Sequence, residues 1–207
     1  MEDPPGPDAR LAALQAELRA CRLCPRMQGP PVHGEAVLSP VLLLGQAPGS
    51  REIAQHRPFC GSAGKTLFAW FAGIGLDEAR VRRLVYMSAV CRCWPGRLAR
   101  GGDRVPVRQE IDSCSRWWRR ELRLVRPRLI IAAGRLAVGR FVAVPRLEAV
   151  VGRCFALEVE GVALDLIPLP HPSGASTWFK TDPGRDLLAR ALGLIASHPA
   201  WRSLLAC

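Results

Sequence analysis

Four short runs of mostly apolar, branched residues, at 41–44, 85–90, 129–133 and 164–169, each lead into a turn that carries Gly or Pro. Between them lie stretches with the three-to-four-residue apolar spacing of helices, at 63–74, 107–125 and 135–141, and another such stretch covers 185–196. A short, nearly continuous apolar run suits a strand buried on both faces. Strands that alternate with helices build a parallel sheet with helices on each side. The chain is therefore predicted to be an α/β protein, a three-layer αβα sandwich with a central, mostly parallel four-stranded sheet. Residues 150–169 alternate in a strand-like way about a Glu-Gly turn, which predicts a hairpin feeding the last strand.

The helical stretch at 107–125 is the most regular. Val107, Ile111, Cys114, Trp118, Leu122 and Val125 share one face, and Arg116, Arg119, Arg120 and Arg123 occupy the other. An earlier amphipathic segment places Leu11, Leu14, Leu18 and Cys21 on one stripe. Residues 1–9 are expected to be a disordered lead and 10–207 a single domain. The acidic, Pro-rich start does not read as a signal peptide, and no apolar run is long enough for a bilayer. A cytoplasmic protein with no membrane partner is expected.

The formal net charge is +11, and of 29 basic residues all but Lys65 and Lys180 are arginine. Such an excess favours a polyanionic partner, with nucleic acid the first candidate.

Ligands of open parallel sheets bind beyond the carboxyl ends of the strands. The turns at those ends are "GQAPGSRE" (45–52), "CRCWPG" (91–96), "GRLA" (134–137) and "PHPSGAS" (170–176). In the first, Gly45 and Gly49 free the backbone for close approach, Gln46 offers an amide and Glu52 a carboxylate. In the last, His171 sits between two prolines and can donate to a carbonyl or take up a proton near neutral pH. Ser173, Ser176 and Thr177, with Gly174 among them, suit phosphate contacts. The stretch "RPFCGSAGKT" (57–66) resembles a phosphate loop, but Phe59 stands where a Walker A pattern needs its first glycine, so nucleotide hydrolysis is excluded. Phe59 is instead an aromatic able to stack on a flat ligand.

There are eight cysteines. Without a secretory leader, metal binding or plain buried thiols are favoured over disulfides. "CRLC" supplies Cys21 and Cys24, "CRCWP" supplies Cys91 and Cys93, and Cys114 lies on the apolar face of the long helix. Four thiolates hold zinc or an iron–sulfur cluster, and spacing alone does not choose between them. The flanks of "CRLC" are not those of a thioredoxin-like redox pair, and too few His and carboxylates cluster for metal-dependent hydrolysis.

Taken in order, "CRLC", "GQAPGSRE", "PFCGSAG", "VYMSAVCRCWP", "SCSRWW" and "HPSGAS" resemble the iron–sulfur branch of the uracil-DNA glycosylase superfamily, from about residue 20 to residue 195. The resemblance implies a structural 4Fe–4S cluster on Cys21, Cys24, Cys93 and Cys114, with Cys93 preferred to Cys91 because it directly precedes Trp94–Pro95. Cys60, Cys91, Cys154 and Cys207 would then be free.

The implied reaction is hydrolysis of the N-glycosidic bond of uracil in DNA by a monomeric, nucleoid-associated enzyme of base excision repair. The base must first leave the stack. Gly45, Gln46, Ala47, Phe59, Ala89 and His171 would then form its pocket. Phe59 would stack on the base, His171 would stabilise charge on its O2, and Glu52, less readily Gln46, would position the water. Ser173, Gly174 and Ser176 would hold the DNA backbone, and residues 174–178 would form the wedge that replaces the flipped base.

Two positions depart from the best-known branch, which has Glu at the place of Gln46 and Asn at the place of Ala89. A neutral amide is no general base, and a small residue at 89 resembles a branch that accepts other deaminated bases. A basic, Gly-rich insertion at 96–104 is either a DNA contact or a disordered excursion. A damage-recognition protein that binds DNA but cleaves poorly is the competing reading.

Overall fold

The computed structural model describes residues 6–99, 101–174 and 176–206. The first five residues of the expected lead, Arg100 of the insertion, Ala175 of the expected wedge and Cys207 thus lie outside the described residues. The chain order is α1 (Pro7–Arg19), β1 (Val41–Gly45), α2 (Ser50–Gln55), α3 (Ser62–Ala72), α4 (Glu78–Leu84), β2 (Tyr86–Ala89), α5 (Arg108–Val125), β3 (Leu129–Ala133) and α6 (Arg135–Val138), followed by β4 (Phe155–Val159), β5 (Val162–Leu169), α7 (Gly184–Ser197) and α8 (Pro199–Leu205).

The strands form one five-stranded sheet in the order β2-β1-β3-β5-β4. This corrects the expected four strands. Phe155–Val159 pairs antiparallel with β5 through the predicted hairpin and becomes an edge strand, while β2, β1, β3 and β5 run parallel. β1 and β3 are buried at every residue, as the apolar runs require when helices cover both faces. α1 packs on α5, and α5 packs on β2. Elsewhere α7 packs on β5 and α8 on α7, with Phe71 of α3 against Trp201 of α8 at 5.1 Å between ring centroids. The result is the three-layer sandwich.

Pro7 is the first residue of α1, so residues 7–9, expected in the disordered lead, form its first turn. Proline is well tolerated there because its missing N–H would have had no helical partner. Leu11, Leu14 and Leu18 are buried, as their stripe predicts. α2, α4 and α8 were not predicted, each being seven residues or fewer.

Register positions the site. Gly45 is opposite Ala89, and Ala133 is opposite Leu169. The turns after β1, β2, β3 and β5 therefore emerge side by side at one sheet edge.

Below this edge lies a buried ion pair. Arg92 and Glu121 are 1% and 0% exposed, a level at which charges need partners. The Arg92 guanidinium bonds the Glu121 carboxylate and donates to Ser88 Oγ at 2.8 Å, and Ser88 Oγ donates to Glu121 Oε2 at 2.8 Å. The group fastens β2 and its following turn to α5. Removing one partner leaves the other charge buried, so Glu121→Ala is expected to lose about 3–5 kcal/mol of stability. Urea unfolding with an unchanged slope reads this directly, and a loss below about 1 kcal/mol would contradict it.

Candidate active site

The turns at the sheet edge enclose a cavity of about 760 Å³. Gly45, Gln46, Ala47, Glu52, Phe59, Ala89, His171, Ser173 and Gly174 all line it. Of the expected DNA-contacting residues, Ser176 does not line the cavity; its N–H closes a turn onto the Ser173 carbonyl at 3.0 Å.

Phe59 is held in an unusual backbone conformation. Its φ is +54°, in the left-handed region that non-glycine residues seldom occupy. Three groups impose it. The Phe59 N–H donates to Glu52 Oε1, and its carbonyl accepts from Arg82 of α4 at 3.0 Å. Arg82 also donates to the Pro58 carbonyl at 2.8 Å. Gly64 supplies the third: a Cβ there would lie 1.8 Å from the Phe59 carbonyl oxygen. The ring rests against Gly45, where an added Cβ would come within 2.8 Å of its Cζ. The "PFCGSAG" stretch is thus a device for presenting one aromatic ring.

Glu52, expected to position the water, is held by two backbone donors. One carboxylate oxygen accepts from the Phe59 N–H and the other from the Gly49 N–H at the start of α2. Burial raises its pKa, the two backbone N–H groups pull it back down, and the nearby Asp103 carboxylate raises it again. Its geometry makes it a brace between two loops.

His171 is largely buried, and desolvation lowers its pKa, favouring the neutral ring. Its Nδ1 lies 3.2 Å from the Ser173 backbone N–H, which can only donate. Nδ1 therefore accepts, and the proton of the neutral ring sits on Nε2. Gly134 makes room for this ring: its φ is +92°, and a Cβ there would lie 2.9 Å from His171 Cδ2.

Sequence reasoning missed several lining residues, among them His33, Arg97 and Asp103. His33 Nδ1 donates to the Gly34 carbonyl at 2.7 Å and its Nε2 accepts from Arg19 at 3.0 Å. Arg97 and Asp103 come from the 96–104 insertion, whose Gly-rich character signalled a loop but not a fold. The described residues of that insertion pair as a hairpin, with Arg97 and Asp103 bridged antiparallel. Arg119 and Arg123 of α5 pair with Glu160, and Arg120 pairs with Glu17. Among the described residues Arg51 and Arg97, at the cavity, form no ion pair.

A second cavity, of about 230 Å³, is lined by Cys21, Cys24, Cys91, Cys93 and Cys114. All the described cysteines are free thiols. Cys93 is pushed up to about 12, first by burial and then by the neighbouring thiols Cys114, Cys21 and Cys24. The neighbouring Cys114 thiol, and then burial, push Cys91 up, and the Cys91 contact holds Cys114 down. Among the described residues no three His, Cys, Asp or Glu side chains gather in a group able to hold a metal ion. The chain direction alternates through "CRC", so Arg92 reaches the buried Glu121 and also lines both cavities.

The sequence profile of the Uracil DNA glycosylase superfamily matches residues 31–192. A type-4 uracil-DNA glycosylase from Pyrobaculum aerophilum is 28% identical over 172 residues, covering 79% of this chain and 83% of that protein. One from Archaeoglobus fulgidus is 30% identical over 170 residues, covering 76% and 78%. A type-5 uracil-DNA glycosylase from Thermus thermophilus is 30% identical over 158 residues, covering 61% and 69%. The profile spans most of the chain and includes all four turns at the sheet edge, and on that match the protein belongs to the uracil DNA glycosylase superfamily.

Proposed function

We propose that this chain hydrolyses the N-glycosidic bond of uracil in DNA and so opens base excision repair. The observation that carries the reading is one cavity lined by a clamped aromatic ring, Phe59, and a neutral histidine whose proton sits on Nε2. A flipped pyrimidine would stack on Phe59 with its O2 accepting from His171 Nε2–H. As the C1′–N1 bond breaks, its electron pair moves onto the base, and that hydrogen bond strengthens. Gly45 and Ala47 would bring backbone close to the base edge. Ser173 and Gly174, with Arg51 and Arg97, would face the DNA backbone.

Ala89 lines the cavity beside Gly45 and has no amide with which to read uracil's edge. This favours a second reading, excision of other deaminated bases as well. Purified protein should release uracil, and to a lesser extent hypoxanthine or xanthine, from single- or double-stranded oligonucleotides. His171→Ala should slow cleavage about 10²–10³-fold. Phe59→Ala should cost about 1–3 kcal/mol of base stacking. Retained binding to damaged DNA with no abasic product on any substrate would favour a damage-recognition protein instead.

The thiol cavity fits an iron–sulfur cluster. Five thiols from three separate segments line it, with Glu110, Ser113, Arg22 and Arg92 beside them, around a space larger than a single ion. Cys21, Cys24, Cys93 and Cys114 would hold a 4Fe–4S cluster, which would supply a structural tie between the end of α1, the turn after β2 and α5. Cys93→Ser is expected to lose iron and the broad absorbance near ~400 nm, while Cys91→Ser keeps both. The reverse outcome would make Cys91 the ligand.

Because burial lowers the folded pKa of His171, the unfolded chain takes up that proton first as pH falls. The contribution of His171 to stability is full above about pH 6.5 and is lost as pH falls from there through the lowered folded pKa. Thermal melts of wild type and His171→Asn between pH 8 and pH 5 should show a shallower acid loss in the variant. Parallel curves would contradict this.

A further inference from the structure

We infer that Asp103, carried by the hairpin at 96–104, is the carboxylate that activates the attacking water. This rests on the glycosylase reading above and deepens it. Hydrolysis needs a base close to C1′, and the other candidates fail on chemistry or geometry. Gln46 is a neutral amide. Among the described residues only two carboxylates line the cavity, Glu52 and Asp103. Both oxygens of Glu52 are already engaged by backbone N–H groups.

Asp103 is placed and held. Trp94 Nε1 donates to its Oδ1 at 2.8 Å. The hairpin closes through Leu98 N–H to the Gly102 carbonyl at 2.9 Å and Arg104 N–H to the Gly96 carbonyl at 2.8 Å. Arg104 fixes its base, donating to the Pro95 carbonyl at 2.8 Å and to both oxygens of Glu110 at 2.8 Å each. Oδ2 of Asp103 has no hydrogen-bond partner among the described residues. It faces Gly49, where an added Cβ would lie 3.2 Å from it and 3.4 Å from Glu52 Oε2.

Position supports the role. Gly45 and Ala89, at the strand ends, are buried or half-buried, whereas Asp103 is exposed at the mouth. A base seated against Phe59 leaves its sugar at that mouth. The C1′–N1 bond breaks with its electron pair leaving on the base. The water oxygen forms the new C1′–O bond, and its proton passes to the Asp103 carboxylate and then to solvent. The same carboxylate offsets positive charge on the sugar as the bond opens.

Asp103→Asn tests this, because asparagine can still accept from Trp94 Nε1 and the hairpin keeps its staple. Single-turnover uracil release should fall at least about 10²-fold. Binding to an uncleavable uracil analogue in DNA and the melting temperature should remain those of the wild type. A fall smaller than about tenfold in an active protein would overturn the inference alone. So would a fall matched by equal losses in DNA binding or melting temperature, since Asp103 would then be a staple only. Wild-type protein inert on every uracil substrate would instead overturn the glycosylase reading and this inference together.

Discussion

The buried pair between Arg92 and Glu121 is the interaction around which the two cavities are arranged. An arginine and a glutamate with almost no solvent are stable only while each satisfies the other. Their contact fixes the turn after β2 against α5. In that turn Cys91 and Cys93 line the thiol cavity alone, while Arg92 bonds Ser88 and Glu121 and lines both cavities. The last residue of β2, Ala89, reaches the larger cavity from the same short segment. A slip of one residue here would exchange the thiols with the guanidinium.

The larger cavity follows a similar logic of enforced geometry. Phe59 occupies a left-handed backbone that it would not choose, and a carboxylate, a guanidinium and a glycine hold it there. Residues of this kind cluster where a ligand must meet a fixed surface. His171 is positioned more economically, by one backbone N–H and by the absence of a side chain at Gly134. Ring and imidazole come from distant parts of the sequence and meet because the parallel register brings the ends of β1 and β5 to the same edge.

Much of this was legible in the sequence, since apolar runs and their turns are local signals. β1, β3, β5, the long α5 and the lining by Gly45, Phe59, Ala89 and His171 could be read from them. The fifth strand was visible as a hairpin but not as a sheet member, because an edge strand pairs on one side only and its alternation does not declare its partner. α2 and α4 are too short for periodicity to register. The backbone partners of Glu52 were hidden for a different reason. A carboxylate in a glycine-rich turn suggests chemistry, yet its two backbone donors come from positions three and seven residues away, and only the folded loop brings them together. Asp103 was hidden by its surroundings, a single acid among arginines and glycines.

α5 joins these parts in another way. Its first turn carries Glu110, which accepts from the Val107 N–H and grips Arg104 at the base of the hairpin. One turn further on it carries Cys114, and two turns beyond that Glu121. The helix therefore works as a shaft. Glu110 lines the thiol cavity as well as gripping the base of the hairpin, and Arg92 lines both cavities, so the thiol cavity and the mouth of the larger one share a wall built on a single helix.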